Sequence, residues 1–167
     1  LSTLVRPTVG SASILGLDLL RDTGALRRRL GVVFQAPSLD QKLKVRGNLA
    51  HQGHLYGLAG AALRERIDHL LLEFNLRDRA GDLVETLSCG LQRRVEIAKS
   101  LLHRPELLLL DEPSTGLDPG ARIEPWQTLL RLREQQEETV RLTTPLMEEA
   151  ERCSALHTMQ DRQLATL

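Results

Sequence analysis

The sequence predicts an α/β fold: a parallel sheet with crossover helices, interrupted by an inserted α-helical stretch at about residues 45–100. Three observations carry this. Leu107-Leu108-Leu109-Leu110 is an unbroken apolar run closed by Asp111, the pattern of a strand covered on both faces. From residue 105 strand and helix patterns alternate, as they do where parallel strands are joined by crossover helices. Between the β-branched run Leu30–Phe34 and that alternation, apolar residues stand at 63, 67, 70, 71 and 74, the stripe of a helix packed on one side.

In chain order, Leu1, Leu4 and Val5 read as the tail of an apolar helix, stopped by Pro7 and turned by Gly10. A short strand at Ser11–Leu15 follows, then an Arg-rich helical turn at Ala25–Arg29. The strand Leu30-Gly31-Val32-Val33-Phe34 ends at Gln35, and Ala36-Pro37-Ser38 makes a turn into the helical insertion. A helix opens near Ser88 and runs to about Leu102. After the Leu107–Leu110 strand, Ala121–Gln136 reads as helix with Ile123, Trp126 and Leu130 on one face. Thr139–Thr144 is a second strand of this half, Met147–Arg152 a short helix and Ala155–Gln160 a third strand. A chain of 167 residues suits one domain.

Composition narrows the function classes. Twenty-two basic residues balance 22 acidic ones, which argues against nucleic acid as a partner, since phosphates need a net basic face. The apolar runs are only a few residues long, too short to span a bilayer, and no basic-then-apolar leader opens the sequence. Cys89 and Cys153 are too few for a disulfide framework. The expectation is a soluble, cytoplasmic chain.

Chemistry concentrates at Asp111-Glu112-Pro113. A strand of an α/β sheet delivers its last side chains to the carboxyl edge, where such folds bind ligands. An aspartate there can hold magnesium, which suits carboxylate and phosphate oxygens. A glutamate beside it can orient and deprotonate a water aimed at a terminal phosphate. An acidic pair capping a buried strand is the plainer reading of the pair alone. Upstream stands Leu87-Ser88-Cys89-Gly90-Leu91-Gln92-Arg93-Arg94, and downstream Ser114-Thr115-Gly116-Leu117-Asp118-Pro119.

This ordered set resembles the ATP-binding cassette (ABC) family of transport ATPases. Ser88 to Gln92 is similar to its signature motif, Asp111 and Glu112 to its Walker B motif, Ser114 to Asp118 to its D-loop and Gln35 to its Q-loop. The stretches Val32–Asp40 and Leu146–Glu151 look most like the bacterial drug-export and antibiotic-resistance branch. The resemblance implies a P-loop NTPase-like (RecA-like) sheet with an inserted helical subdomain, ATP and Mg2+ as cofactors, and a head-to-tail partnership with a second nucleotide-binding domain. It also implies a membrane-spanning permease partner that holds the subunit at the inner face of the membrane. Glu112 would be the general base and Asp111 with Gln35 would handle magnesium. Ser88, Cys89, Gly90 and Gln92 would face nucleotide on the opposite subunit, and Asp118 would order that opposing site. Ser88 can also cap the helix that follows, whose free N–H groups suit an anion.

Several positions depart from the family. No Gly-x-x-x-x-Gly-Lys-[Ser/Thr] loop is present; the only lysines are Lys42, Lys44 and Lys99, and none follows a glycine. The sequence therefore reads as a single incomplete domain over residues 1–167, lacking the N-terminal strand and phosphate loop. Pro145 stands where the family places a histidine toward the γ-phosphate, with Thr144 expected as N-cap and Pro145 as first helical residue. Cys89 replaces a signature glycine, where a β-carbon would crowd a close backbone–phosphate approach and penalise any positive φ. Pro125 would break the helix after Pro119 at about 3 kcal/mol, and Arg141 would put a charge in a strand expected to be buried. His157 receives no role.

Two functions follow as expectations. The first is the ATP-binding subunit of an exporter of drug-like substrates, with this chain alone inactive. The second is a non-catalytic relic, or a partner half-site that lends only its signature surface.

Overall fold

The computed structural model describes residues 2–117, 120, 122, 126–131, 139–160 and 163–166. Its centre is a parallel sheet of β3 (Leu30–Val33), β4 (Leu107–Asp111) and β5 (Thr139–Thr143), in the order β3-β4-β5. Val33 pairs with Leu110, Leu110 with Leu142, and Asp111 with Thr143. All three strands therefore end at one margin. This is the expected α/β class.

Between β3 and β4 the chain is helical: α2 (Val45–Leu55), α3 (Gly60–Glu73) and α4 (Cys89–Ser100). Leu63, Ile67, Leu70, Leu71 and Phe74 are all buried, as the i, i+3, i+4 spacing requires. They join Leu49, Val95, Ile97 and Leu101 in one core that also holds Val33, Leu108, Leu110 and Leu129. The other face of the sheet carries a smaller cluster of Ile14, Leu26, Leu30 and Leu107, seated on α1 (Thr23–Arg29). Alternate residues of β4 thus serve two cores, which is why its four leucines run without a polar break.

The helix α4 lies so close to β3 that a side chain at Gly31 has no room. A β-carbon built there would stand 2.8 Å from the Ser100 carbonyl oxygen and 2.9 Å from Pro105 Cγ.

The structure corrects several sequence expectations. Residues 2–10 form bends rather than a helix tail. Thr3 sits at φ +62, which no right-handed helix propagates, and Leu4 and Val5 are 67% and 84% exposed. The expected strand at Ser11–Leu15 is one arm of a tiny hairpin, β1 (Ser13–Ile14) against β2 (Leu17–Asp18). Its turn, Leu15-Gly16, takes φ +53 and +76, the paired positive values that a two-residue hairpin loop needs.

Arg141 is exposed, not buried. In β5 the apolar Val140 and Leu142 pack on the main core, while Thr139, Arg141 and Thr143 alternate onto the more open face. Arg141 therefore keeps its hydration. The third strand expected at Ala155–Gln160 is β6 (His157–Gln160), but it pairs antiparallel with β7 (Gln163–Thr166) in a separate hairpin. A two-residue connection permits only antiparallel pairing; joining a parallel sheet needs a crossover.

Residues 126–131 are helical. Trp126 and Leu129 are buried there and Leu130 is only partly so, which places the apolar face one residue from the expected Leu130. Ile123 and Pro125 lie outside the described residues. No helix among the described residues is long and apolar enough to cross a membrane.

Candidate functional site at the sheet margin

Because β3, β4 and β5 are parallel and in register, their carboxyl ends bring Gln35, Asp111, Glu112, Thr143 and Thr144 to one margin. Gln35 Nε2 donates to Glu112 Oε2 at 3.0 Å. Thr115 Oγ1 donates to the same oxygen at 3.0 Å. Thr143 Oγ1 donates to Asp111 Oδ1 at 2.5 Å and accepts from the Glu112 backbone N–H at 3.2 Å. That N–H also reaches the Thr143 carbonyl at 3.0 Å. One threonine therefore orients both candidate acidic residues. Asp111 is exposed and Glu112 half-buried, so the carboxylates face an open margin.

Glu112 sits at φ +45, a left-handed conformation costing an L-residue about 1–2 kcal/mol. Its backbone is held on both sides: the N–H by Thr143, and the carbonyl by Arg93 Nη2 at 3.3 Å. Gly116, at φ +81, completes the turn after β4, as a residue free of β-carbon penalty should.

Arg93 connects this margin to α4. Its Nη1 donates to the Phe34 carbonyl at 2.8 Å and to Glu96 Oε2 at 2.9 Å, with both side chains more than nine-tenths buried. Glu96 Oε1 in turn accepts the Ser38 N–H at 2.5 Å, and Lys99 Nζ donates to the Ser38 carbonyl at 2.7 Å. Burial pushes the Lys99 ammonium below its ordinary pKa, against the opposing pull of Glu96. The turn beyond Gln35 is thus fastened to the helix opened by Ser88. The adjacent pair Arg93-Arg94 did not single out Arg93 on its own. Helical phase could have: Gly90, Arg93, Ile97 and Ser100 share the buried face of α4.

Ser88 caps α4, its side chain accepting from the Leu91 N–H at 3.4 Å, and it remains exposed beside Cys89. Gly90 is buried.

The sequence profile of the ABC transporter family matches residues 1–115. The chain belongs to the ABC transporter family. It is 42% identical over 151 residues to the daunorubicin resistance ATP-binding protein DrrA3 of Streptomyces coeruleorubidus, covering 90% of this chain and 48% of that protein. It is 39% identical over 153 residues to the probable multidrug ABC transporter ATP-binding protein YbhF of Escherichia coli K12, covering 92% and 26%. The solved structure of cbiO1 from Clostridium perfringens, part of the ABC transporter complex cbiONQ, superposes with a TM-score of 0.88 at 25% identity. That match covers 98% of this chain and 67% of the other. The chain spans about half the length or less of the curated relatives it matches. The expected P-loop NTPase-like α/β fold is therefore the fold observed.

Cys89 opens α4 and is not among the residues with positive φ, so the backbone penalty expected for replacing glycine is not incurred. Gln92 turns its Nε2 inward to the carbonyls of Val84 and Leu87, each at 3.1 Å; it braces the turn before Ser88 rather than presenting that amide group outward. Pro145 lies in a bend, and the short helix Met147–Ala150 starts only beyond it, with Leu146 in the cap position. Thr144 is thus not the N-cap. Its Oγ1 accepts the Leu146 N–H at 3.0 Å and so shapes the bend that carries Pro145. Asp118 lies outside the described residues. A cavity of about 310 Å3, bordered by Leu30, Val32, Tyr56, Lys99 and His103, contains none of the expected site residues.

Proposed function

We propose that this chain is the ATP-binding subunit sequence of an ABC-type exporter for drug-like molecules, coupling ATP binding and hydrolysis to transport by a permease partner. The observation that carries it is the convergence of Gln35, Asp111 and Glu112 on one sheet margin, with Gln35 in contact with Glu112. Names of relatives with daunorubicin resistance and multidrug transport support the substrate class. In this reading the subunit works at the inner membrane face through its permease, and pairs with a second nucleotide-binding domain.

The donor chemistry fits a magnesium ion on one side. Asp111 offers an oriented carboxylate and Gln35 an amide oxygen, both hard ligands of the kind magnesium takes alongside water and phosphate. Among the described residues no group of three or more His, Cys, Asp or Glu could hold a metal. An ion here would complete its shell from the nucleotide. Magnesium, when bound with ATP, supplies charge neutralisation at the phosphates. Glu112 would take the proton of the attacking water, held until then by Gln35 and Thr115. Thr143 would hold the Asp111 carboxylate and the Glu112 backbone in register. Ser88, at the exposed start of α4, would serve the nucleotide of the opposite domain with Cys89 and Gly90, and Asp118 would order that site.

A second reading, a half-site without catalysis of its own, draws support from Pro145, which has no side-chain donor. One experiment separates them: magnesium-dependent ATPase of the chain alone, and of the chain mixed with an intact family member. The chain alone is expected to give no rate above background. Added turnover in the mixture supports the half-site; a rate in the chain alone that vanishes in Asp111→Ala overturns the expectation of inactivity.

A further inference from the structure

We infer that Arg93 is a positioning residue for the candidate base: its guanidinium forks across the exits of β3 and β4 and so sets the contact between Gln35 and Glu112. The inference rests on the reading that Glu112 acts on a water at this margin. The paired register of the two strands stops at Val33 with Leu110, so Gln35 and Glu112 both stand two residues beyond the last rung. On its other side β4 stays attached for longer. Asp111 is still paired with Thr143, the Glu112 N–H reaches the Thr143 carbonyl at 3.0 Å, and Thr144 Oγ1 anchors the following bend to the buried Glu149 at 2.6 Å. Toward β3, the described hydrogen bonds past the last rung come from side chains. Gln35 Nε2 reaches Glu112 Oε2. Arg93 donates from Nη1 to the Phe34 carbonyl at 2.8 Å and from Nη2 to the Glu112 carbonyl at 3.3 Å.

The chemistry of the residue suits that task. A guanidinium holds its donors in a rigid planar fork, whereas a lysine offers a flexible point charge. Two carbonyls on one fork are therefore held at a fixed separation, as a ladder rung would hold them. The fork itself is not free to turn. Arg93 is only 7% exposed, and its Nη1 also donates to Glu96 Oε2 at 2.9 Å, while the other Glu96 oxygen accepts the Ser38 N–H. The bond to Glu112 falls on a residue whose backbone stands at φ +45, a conformation that persists only where its surroundings over-determine it. The Glu112 carbonyl also accepts the Thr115 N–H at 3.2 Å, and Thr115 in turn donates its hydroxyl to Glu112 Oε2. Loss of the fork would thus loosen the Glu112 backbone and both donors on its carboxylate together.

Amide NMR of the 167-residue chain tests this without nucleotide. In the parent chain the Gln35 side-chain amide signal should follow the protonation of Glu112 as pH is lowered, because the two groups are bonded. Arg93→Lys keeps the charge beside Glu96 but not the fork. It is expected to abolish that response and to speed exchange of the Thr115 amide about fivefold, the equivalent of one ordinary hydrogen bond lost, while amides of α3 keep their parent rates. Lys99→Met, which releases the Ser38 carbonyl and leaves the fork intact, should keep the parent behaviour at both places. A Gln35 response that is missing from the parent chain or survives in Arg93→Lys overturns the positioning role. So does Thr115 exchange that rises no more than exchange in α3, or a Gln35 response lost in Lys99→Met. Mg–ATP forms a separate arm, added to the chain alone and to the chain mixed with an intact family member. Should it move neither signal, the nucleotide reading falls and the positioning role stands.

Discussion

Gln35 and Glu112, 77 positions apart in sequence, meet at 3.0 Å through an amide N–H and a carboxylate oxygen. The contact exists because β3 and β4 are parallel and in register, so residues just beyond Val33 and Leu110 share one margin. It joins a residue expected to sense magnesium to the residue expected to act as base.

That contact makes a prediction independent of turnover. Gln35→Glu would set two carboxylates against each other at a partly exposed site, a repulsion of about 1 kcal/mol in water-like surroundings. The variant should unfold at lower urea concentration than the parent chain, and millimolar Mg2+ should recover most of the loss. Identical midpoints with and without Mg2+ would mean the two side chains do not face each other in solution.

The Arg93–Glu96 pair is buried, and breaking such a pair from one side typically costs about 3–5 kcal/mol, because the partner charge stays unpaired. Arg93→Met should therefore destabilise the chain severely in urea titration. Arg93→Met with Glu96→Leu should be much milder than the single change. A double variant as weak as the single one would show that the backbone bonds to Phe34 and Glu112, rather than the charge pair, carry the effect.

Gly31 is fixed by packing. A methyl group there would meet the Ser100 carbonyl oxygen, a backbone atom that cannot rotate away. Gly31→Ala should cost about 1–3 kcal/mol through overpacking, read as a lowered Tm. An unchanged Tm would show that α4 can lift from β3 freely.

His103 gives a pH dependence. Its Nε2 lies 2.9 Å from the Leu30 carbonyl, its ring stacks on Tyr56 at 3.7 Å, and its Nδ1 is buried with no partner among the described residues. Burial lowers its pKa, the Leu30 carbonyl opposes that, and the Arg66 charge lowers it further. As pH falls through the ordinary imidazole value of about 6.5, the unfolded chain takes up the proton first. Stability from this group is therefore full above that pH and falls as the solution is acidified toward the lowered folded value. The urea midpoint should drop between pH 7.5 and 5.5, and drop less in His103→Phe. Equal drops in both would assign the effect to other histidines.

Much of the candidate site was legible in the sequence. Four leucines ending in Asp111 signal a strand buried on both faces, whose end in an α/β sheet lies at the ligand margin, so Asp111 and Glu112 could be placed there; Gln35 joined them through the family resemblance. Ser88 before a helical pattern could be read as its cap. Of the residues that hold these in position, helical phase could mark Arg93, while Thr143 and Glu149 were not legible. Arg93 and Arg94 are neighbours of the same type, as are Glu148 and Glu149, and Thr143 and Thr144. Which partner each of these meets depends on the rotation of its helix or strand against the core.

The sequence by itself determined the α/β class, the helical insertion and the identity of the candidate acidic residues, because hydrophobic period and local capping are properties of short stretches. Only the tertiary structure decided that Arg141 is solvated, that β6 leaves the sheet for its own hairpin, and that Thr143 and Arg93 hold the margin together. Those outcomes depend on which face of a strand is covered and on polar groups from distant segments sharing one partner, and neither is encoded in any single stretch of chain.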